Sequence, residues 1–197
     1  MSLWFLICVI GTIAVVPIHF LSVEHIKLDR RYGEKQGKKV GAILGMISGW
    51  GYFIFLIGMW VTPQERFLID SNTLMVFPIL NIDIGLINLL IAVPIIIIGA
   101  YLGIVGVKGT GIEVSETHRA EFIATDGIYS KTRHPQYLGA VLSHIGMSFF
   151  FAAFYALLAT TLVIVATYLT ARKEEQELIR EFGEEYREYK SRVRMFI

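Results

Sequence analysis

Two clusters of polar side chains flank a long apolar stretch in the second half of this 197-residue chain. The segment 133–137 supplies an arginine, a histidine and a tyrosine, and Glu174 and Glu175 form the second cluster. The intervening segment of about 35 nearly uncharged residues would make one helix of roughly 50 Å, whereas a bilayer's hydrocarbon layer is about 30 Å thick. Two short helices fit better, and such a hairpin returns the glutamates to the face that the first cluster left. The sequence therefore predicts one composite site, which is typical of an enzyme.

Several familiar kinds of site are absent from the sequence. Its one cysteine, Cys8, provides neither a disulfide framework nor a cysteine-based metal site. No Walker, HExxH or nucleophile-elbow pattern occurs. The glycine-rich segment 103–111 ends an apolar stretch, whereas dinucleotide-binding glycines follow a strand and open a helix. We therefore predict no metal ligands and no soluble-type nucleotide loop.

Composition indicates an integral membrane protein. The chain is 54% hydrophobic and 18% charged, far from the balance of a soluble domain. Its net charge is +1, and its lysines and arginines lie between apolar blocks instead of forming a basic stripe. Nucleic acid is therefore excluded as the expected partner, and membrane lipid is expected.

Hydropathy predicts five membrane spans. They are Leu3–Phe20, Val40–Val61, Ile82–Val107, Leu138–Phe154 and Tyr155–Ala171. The first has no basic residue before it and a dense basic segment after it, which favours an uncleaved helix over a signal peptide. With the amino terminus outside, all lysines and arginines except Arg66 fall on the inner side. This multi-pass arrangement places the candidate site and the carboxyl terminus in the cytoplasm.

The expected fold is all-α, a polytopic transmembrane helical bundle in which spans four and five form a short hairpin. After Arg172, apolar residues recur every three or four positions, which predicts an amphipathic cytoplasmic helix interrupted at Gly183. We treat 1–197 as a single membrane domain, with three variable spans in 1–107 and the loop, hairpin and terminal helix in 108–197. Gly41, Gly45 and Gly49 favour close helix packing within the chain over a dimer face, and the oligomeric state stays open.

Four pieces in fixed order carry a family resemblance. They are Gly127-Ile128-Tyr129, then Arg133-His134-Pro135-Gln136-Tyr137-Leu138-Gly139 with the apolar hairpin, then Glu174-Glu175, and finally Phe182-Gly183-Glu184-Glu185-Tyr186-Arg187-Glu188-Tyr189. Together they resemble the isoprenylcysteine carboxyl methyltransferase family, in the form of a short, prokaryotic-type member. The resemblance covers roughly the last 40% of the chain, and related enzymes that methylate phospholipid head groups share much of it.

This resemblance implies S-adenosylmethionine as methyl donor, with S-adenosylhomocysteine as product. The donor contacts that it implies are Glu121, Phe122, Ile123, Ala124, Tyr129, His134, Pro135, Gln136, Tyr137 and Glu174. The chemistry suits the donor, since Glu174 can pair with its ammonium while His134 and backbone donors meet its carboxylate. Tyr129 and Tyr137 can contact the adenine or the sulfonium, although interfacial tyrosines also occur in membrane proteins for packing alone.

The resemblance also implies a lipophilic or prenylated acceptor, such as a prenylcysteine carboxylate. Such a carboxylate is already ionised and needs a cation to orient it, for which Arg133 and Arg172 are the candidate catalytic residues. By strict alignment the family's arginine falls on Thr170 instead of Arg172. A phospholipid amine acceptor would need its proton removed, with Glu175 as a possible base. Two further alternatives stay open, a membrane reductase that uses a nicotinamide cofactor and a non-catalytic transporter or assembly subunit.

Overall fold

The computed structural model describes residues 1–70, 73–112, 114, 119–120 and 122–196, which are mostly helical. The elements, in chain order, are α1 (Leu3–Ser22), α2 (His25–Tyr32), α3 (Glu34–Val61), β1 (Thr73–Phe77), β2 (Ile82–Gly85), α4 (Leu86–Thr110), a 3-10 turn (Gly127–Ser130), α5 (Pro135–Phe150), α6 (Phe154–Leu158), α7 (Thr160–Phe182) and α8 (Glu184–Arg192). A membrane-type helical fold is therefore confirmed.

Three helices among the described residues, α1, α3 and α4, are long and apolar enough to cross a membrane. The predicted fourth span corresponds to α5, whose 16 residues measure about 24 Å along the helix axis. The predicted fifth span corresponds to α6 and the first half of α7. Membrane crossing by these last two segments stays a prediction.

The mostly helical chain contains a short antiparallel hairpin of β1 and β2 that the sequence did not predict. Span three was predicted to begin at Ile82, but α4 begins only at Leu86. Ile82 and Ile84 are buried while Asp83 between them is exposed, which is the alternation of a strand with one face packed. Asn81 adopts a φ of 50°, a left-handed conformation that asparagine tolerates in turns. The apolar residues before Leu86 therefore continue the hydropathy of α4 without continuing its helix.

A hydrophobic core joins α1, α3, β2, α6 and the start of α7 at one end of the bundle. Its buried members are Phe5, Leu56, Met59, Trp60, Ile82, Phe151, Ala153, Ala156 and Val163. Three buried polar side chains beside it, Trp60, His144 and Asn88, are hydrogen-bonded, as is usual for buried polar groups. Trp60 Nε1 donates to His144 Nδ1 at 3.2 Å, and Asn88 bonds to the backbone of Phe67, Ile69 and Phe149. This end of the bundle therefore has a closely packed apolar interior, and the polar clusters lie at the other end.

The terminal helix also differs from expectation. α7 continues as one helix from the predicted fifth span to Phe182, and Gly183 then takes a φ of 60° that a side chain would disfavour. This conformation ends α7 and turns α8 back, so that Tyr186 and Tyr189 are buried. The predicted amphipathic helix is therefore two helices, with its break at Gly183.

Glycines allow α4 and α5 to approach closely. A Cβ added to Gly139 would lie 2.6 Å from the carbonyl oxygen of Gly99 and 2.8 Å from the backbone nitrogen of Gly103. Real Cβ atoms do not come so near to backbone atoms, so the two helices pack backbone to backbone, as small residues permit in membranes. This contact fixes the start of α5, which carries His134 at its amino-terminal end.

We expect Gly139→Ala to destabilise the protein, because overpacking a tight contact costs about 1 to 3 kcal/mol. The matched control is Gly103→Ala, since a Cβ there meets no atom within 4 Å and alanine favours helix by roughly 1 kcal/mol. Thermal unfolding in detergent should give a lower midpoint for Gly139→Ala only. Equal midpoints for the two variants would contradict the backbone contact.

Candidate active site

The first polar cluster is held in place by the start of α5 and by the carboxyl-terminal segment. Pro135 is the first residue of α5, and a residue before proline avoids helical conformation, so His134 stays outside the helix. The backbone nitrogens of Arg133 and His134 donate to the carbonyls of Arg194 and Met195 at 3.0 and 3.3 Å. The start of α5 and the carboxyl-terminal segment therefore hold the backbone of this cluster in place from two sides.

Glu175 is the buried anchor of the second cluster. Its side chain is 1% exposed, and its Oε1 accepts hydrogen bonds from Arg133 Nε at 2.6 Å and His134 Nε2 at 3.3 Å. Its Oε2 lies 2.7 Å from Lys190 Nζ on α8. Burial alone raises the pKa of this carboxyl, but the bonds from His134, Arg133 and Lys190 outweigh it and lower the pKa to about 2. Glu175 is therefore ionised and fully committed to protein contacts.

Glu174 has different surroundings although it is the next residue. Its Oε1 is 2.9 Å from His19 Nε2 and accepts a hydrogen bond from the Tyr137 hydroxyl, and its Oε2 is 3.8 Å from His134 Nδ1. Its side chain is 17% exposed and lines a cavity. The arginine and lysine of the cluster are directed to Glu175, whereas Glu174 contacts imidazoles and a hydroxyl. The carboxylate of Glu174 is therefore suited to a cationic ligand.

The cavity has a volume of about 310 Å³ and opens beside both clusters. That volume is at the small end of the range for ligand sites. Three groups of side chains line it, from α1 and α3, from the loop before the 3-10 turn, and from α5, α7 and α8. Its members include Val15, Val16, His19, Gly49, Tyr52, Phe53, Phe122, Ile123, Ala124, Tyr129, Arg133, His134, Gln136, Tyr137, Thr170, Glu174, Tyr186 and Tyr189.

Tyr129 and Gln136 form a hydrogen-bonded wall of this cavity. The Tyr129 hydroxyl donates to the Gly106 carbonyl at 3.1 Å, and Gln136 Nε2 donates to that hydroxyl at 3.3 Å. Tyr189 buttresses the wall from α8, since its hydroxyl donates to the Tyr129 carbonyl at 2.7 Å. Burial raises the pKa of Tyr189 to about 12, which keeps this donor protonated at neutral pH.

Most of the predicted donor contacts and catalytic residues are therefore placed at one cavity, with three exceptions. Pro135 is buried beneath it against Gly106 and does not line it. Glu121 lies outside the described residues. Arg172 is exposed, with its guanidinium 5.8 Å from the Tyr168 ring, and it is not among the lining residues. Thr170, where the family's arginine aligns, does line the cavity.

The structure adds cavity residues that the sequence reasoning did not single out. The first is His19, a polar side chain near the end of an apolar helix, and polar residues in such helices usually face the protein interior. That signal is visible in the sequence. Tyr52 is harder to single out from the sequence, because tyrosines are common in membrane helices. Its hydroxyl lies 3.4 Å from Thr167 Oγ1.

Comparison with known proteins gives two matches. A family described as phospholipid methyltransferase matches residues 85–185, just over half of the chain. The protein-S-isoprenylcysteine O-methyltransferase of Schizosaccharomyces pombe is 30% identical over 83 residues, which are 42% of this chain and 35% of that enzyme. The aligned part thus spans about a third of that relative's length. No solved structure matches the chain significantly. The family resemblance seen in the sequence is confirmed.

The low pKa of Glu175 predicts how the stability of the folded protein depends on pH. A carboxyl whose pKa falls from 4.5 to about 2 on folding contributes stability that is complete above pH 4.5 and is lost as pH falls toward 2. Glu175→Gln should therefore lower the melting midpoint strongly near pH 6, because Arg133 loses its partner, and this deficit should shrink below pH 4.5. Glu184→Gln, at an exposed carboxylate, is the control and should leave the midpoint nearly unchanged. A deficit that stays constant with pH contradicts the assignment.

Proposed function

The chain belongs to the phospholipid methyltransferase family, and we propose that it transfers a methyl group from S-adenosylmethionine to a lipophilic acceptor in the membrane. The acceptor that we favour is the carboxylate of a prenylated cysteine or a similar amphiphile. One observation carries the proposal. A single cavity is lined at one end by Glu174, His134, Gln136 and Tyr129, and at the other by apolar side chains of α1 and α3.

The polar end fits the donor by its chemistry. When bound, S-adenosylmethionine would supply a methyl group on a sulfonium, and it also carries an ammonium and a carboxylate. Glu174 would pair with the ammonium, because its carboxylate lines the cavity among uncharged or weakly basic donors. His134 and Gln136 line the same end of the cavity beside Glu174. Tyr137 stacks on His134, with ring centroids 5.4 Å apart, and so keeps the imidazole in place.

The apolar end fits the acceptor. Val15 and Val16 of α1 and Phe53 of α3 line it, and a Cβ added to Gly49 would meet no atom within 4 Å. An apolar chain there would leave the bilayer for a similarly apolar cavity, while its head group lies beside the donor. Methyl transfer by in-line displacement requires that alignment, with the reacting atoms about 3 to 3.5 Å apart.

For orientation of the acceptor carboxylate we favour Arg133 over Arg172. Arg133 lines the cavity and is largely buried, whereas Arg172 is exposed outside it. Arg133 uses Nε for Glu175 and Nη1 for the carbonyls of Lys190 and Val193. Its Nη2, which has no hydrogen bond to the described residues, would meet the acceptor.

We further propose that α5 and the α6–α7 segment cross the bilayer as a hairpin, which gives five spans in one membrane domain. The amino terminus would then be outside, with the cavity on the cytoplasmic side. The distribution of lysines and arginines supports this orientation. The donor would enter from the cytosol and the acceptor from the inner leaflet.

We expect S-adenosylhomocysteine to raise the melting midpoint of the detergent-purified protein, because a ligand that binds only the folded state stabilises it by mass action. Glu174→Gln and His134→Ala should greatly reduce this shift while the proteins stay folded. The control, Glu188→Gln, changes an exposed carboxylate on α8 and should keep the full shift. Stabilisation by reduced nicotinamide dinucleotide but not by S-adenosylhomocysteine would favour the reductase alternative, and stabilisation by neither would contradict both.

Supplied with labelled S-adenosylmethionine, the protein should label prenylcysteine analogues and leave amino-phospholipids unlabelled, since an ionised carboxylate needs no base and Glu175 is fully engaged. The measurement is radioactivity extracted with each lipid from mixed micelles. If only amino-phospholipids are labelled, the acceptor is an amine instead of a carboxylate, and the proposed methyl donor stands.

A further inference from the structure

His19 connects the first helix to the candidate donor site. It lies in the last turn of α1 and is 8% exposed, and its Nε2 is 2.9 Å from Glu174 Oε1 on α7. The two residues are 155 positions apart in sequence. α1 also lies outside residues 85–185, the part of the chain that matches the family. This contact is therefore a contribution of the amino-terminal half to a site built mainly by the other half.

The direction of the hydrogen bond follows from the chemistry of the partners. An ionised carboxylate has only acceptors, so His19 Nε2 carries the proton and donates it. The Tyr137 hydroxyl on α5 donates to the same Oε1 atom. Two donors from two different helices thus fix the position of one carboxylate oxygen.

The neighbouring cations are bonded to other carboxylates. Lys173 Nζ lies 2.6 Å from Glu24 and 3.0 Å from Glu177, and Arg133 and Lys190 are bonded to Glu175. The His19 imidazole and the Tyr137 hydroxyl hold the Glu174 carboxylate in place. A cationic group that enters the cavity then meets a carboxylate that is already in place, which reduces the cost of ordering it on binding.

We infer that His19 is a positioning residue, which holds the Glu174 carboxylate toward the ammonium group of the methyl donor. This inference rests on the proposed function. His19 does not touch the reacting atoms in this scheme, and it acts through Glu174. Its removal should therefore affect donor binding and leave acceptor binding unchanged.

The first test measures S-adenosylhomocysteine binding to the full-length protein by calorimetry. His19→Ala should weaken binding about tenfold, the amount expected when a hydrogen bond to a charged group is lost. His19→Gln should bind close to wild type, because its side-chain amide can also donate to the carboxylate. The matched control is Thr12→Val on the same helix, where the buried hydroxyl bonds only to the Cys8 carbonyl among the described residues. It should bind as wild type does.

The second test separates positioning from a general effect on folding. In the variant that combines His19→Ala with Glu174→Gln, binding should be no weaker than in Glu174→Gln alone, because His19 acts only through that carboxylate. With an active acceptor, His19→Ala should raise the KM for the donor about tenfold and leave the KM for the acceptor within about twofold. Additive losses in the double variant, or a changed acceptor KM with donor binding intact, would overturn the inference.

Failure of this inference is distinguishable from failure of the proposed function. If wild type binds S-adenosylhomocysteine and His19→Ala binds it equally well, the positioning role is wrong and the donor site stands. If wild type binds none, the proposed function is wrong and the positioning role falls with it.

Discussion

The buried contact between Arg133 and Glu175 is the interaction on which the site depends. It joins the start of α5 to α7, and Lys190 brings α8 to the same carboxylate. A buried ion pair stabilises only when further hydrogen bonds support it, and here the backbone carbonyls of Lys190 and Val193 both accept from Nη1 of Arg133. Because all three helices meet at one carboxylate, the cavity walls from α5, α7 and α8 are held as a unit.

Two adjacent glutamates on one helix point in directions about 100° apart. Because of this geometry, the two carboxylates have different contacts. Glu175 points into the interior and bonds to Arg133 and Lys190, and Glu174 points to the cavity and contacts His19 and the Tyr137 hydroxyl. A pair of like charges that would repel each other in one pocket is thus divided between two environments, and each carboxylate has its own set of partners.

The sequence predicted the membrane class and the meeting of the two polar clusters, because hydropathy and motif spacing report on these directly, but the predicted site residues account for only part of the cavity lining. It did not predict the β-hairpin before Leu86, because the apolar residues there suit strand and helix equally and only packing decides between them. At Gly183 it predicted an interruption within one helix, and the structure has instead the end of α7 and a separate α8. His19 was missed for another reason. Its partner lies 155 residues away, and nothing in the local pattern of α1 names that partner.

The cavity is shared between a family-matched half and a half formed by α1 and α3. Substitutions in α1 and α3 would therefore change the apolar wall of the cavity while the walls from α5, α7 and α8 stay in place. A change at His19 would reach further, because this side chain lines the cavity from α1 and also bonds to Glu174 on α7.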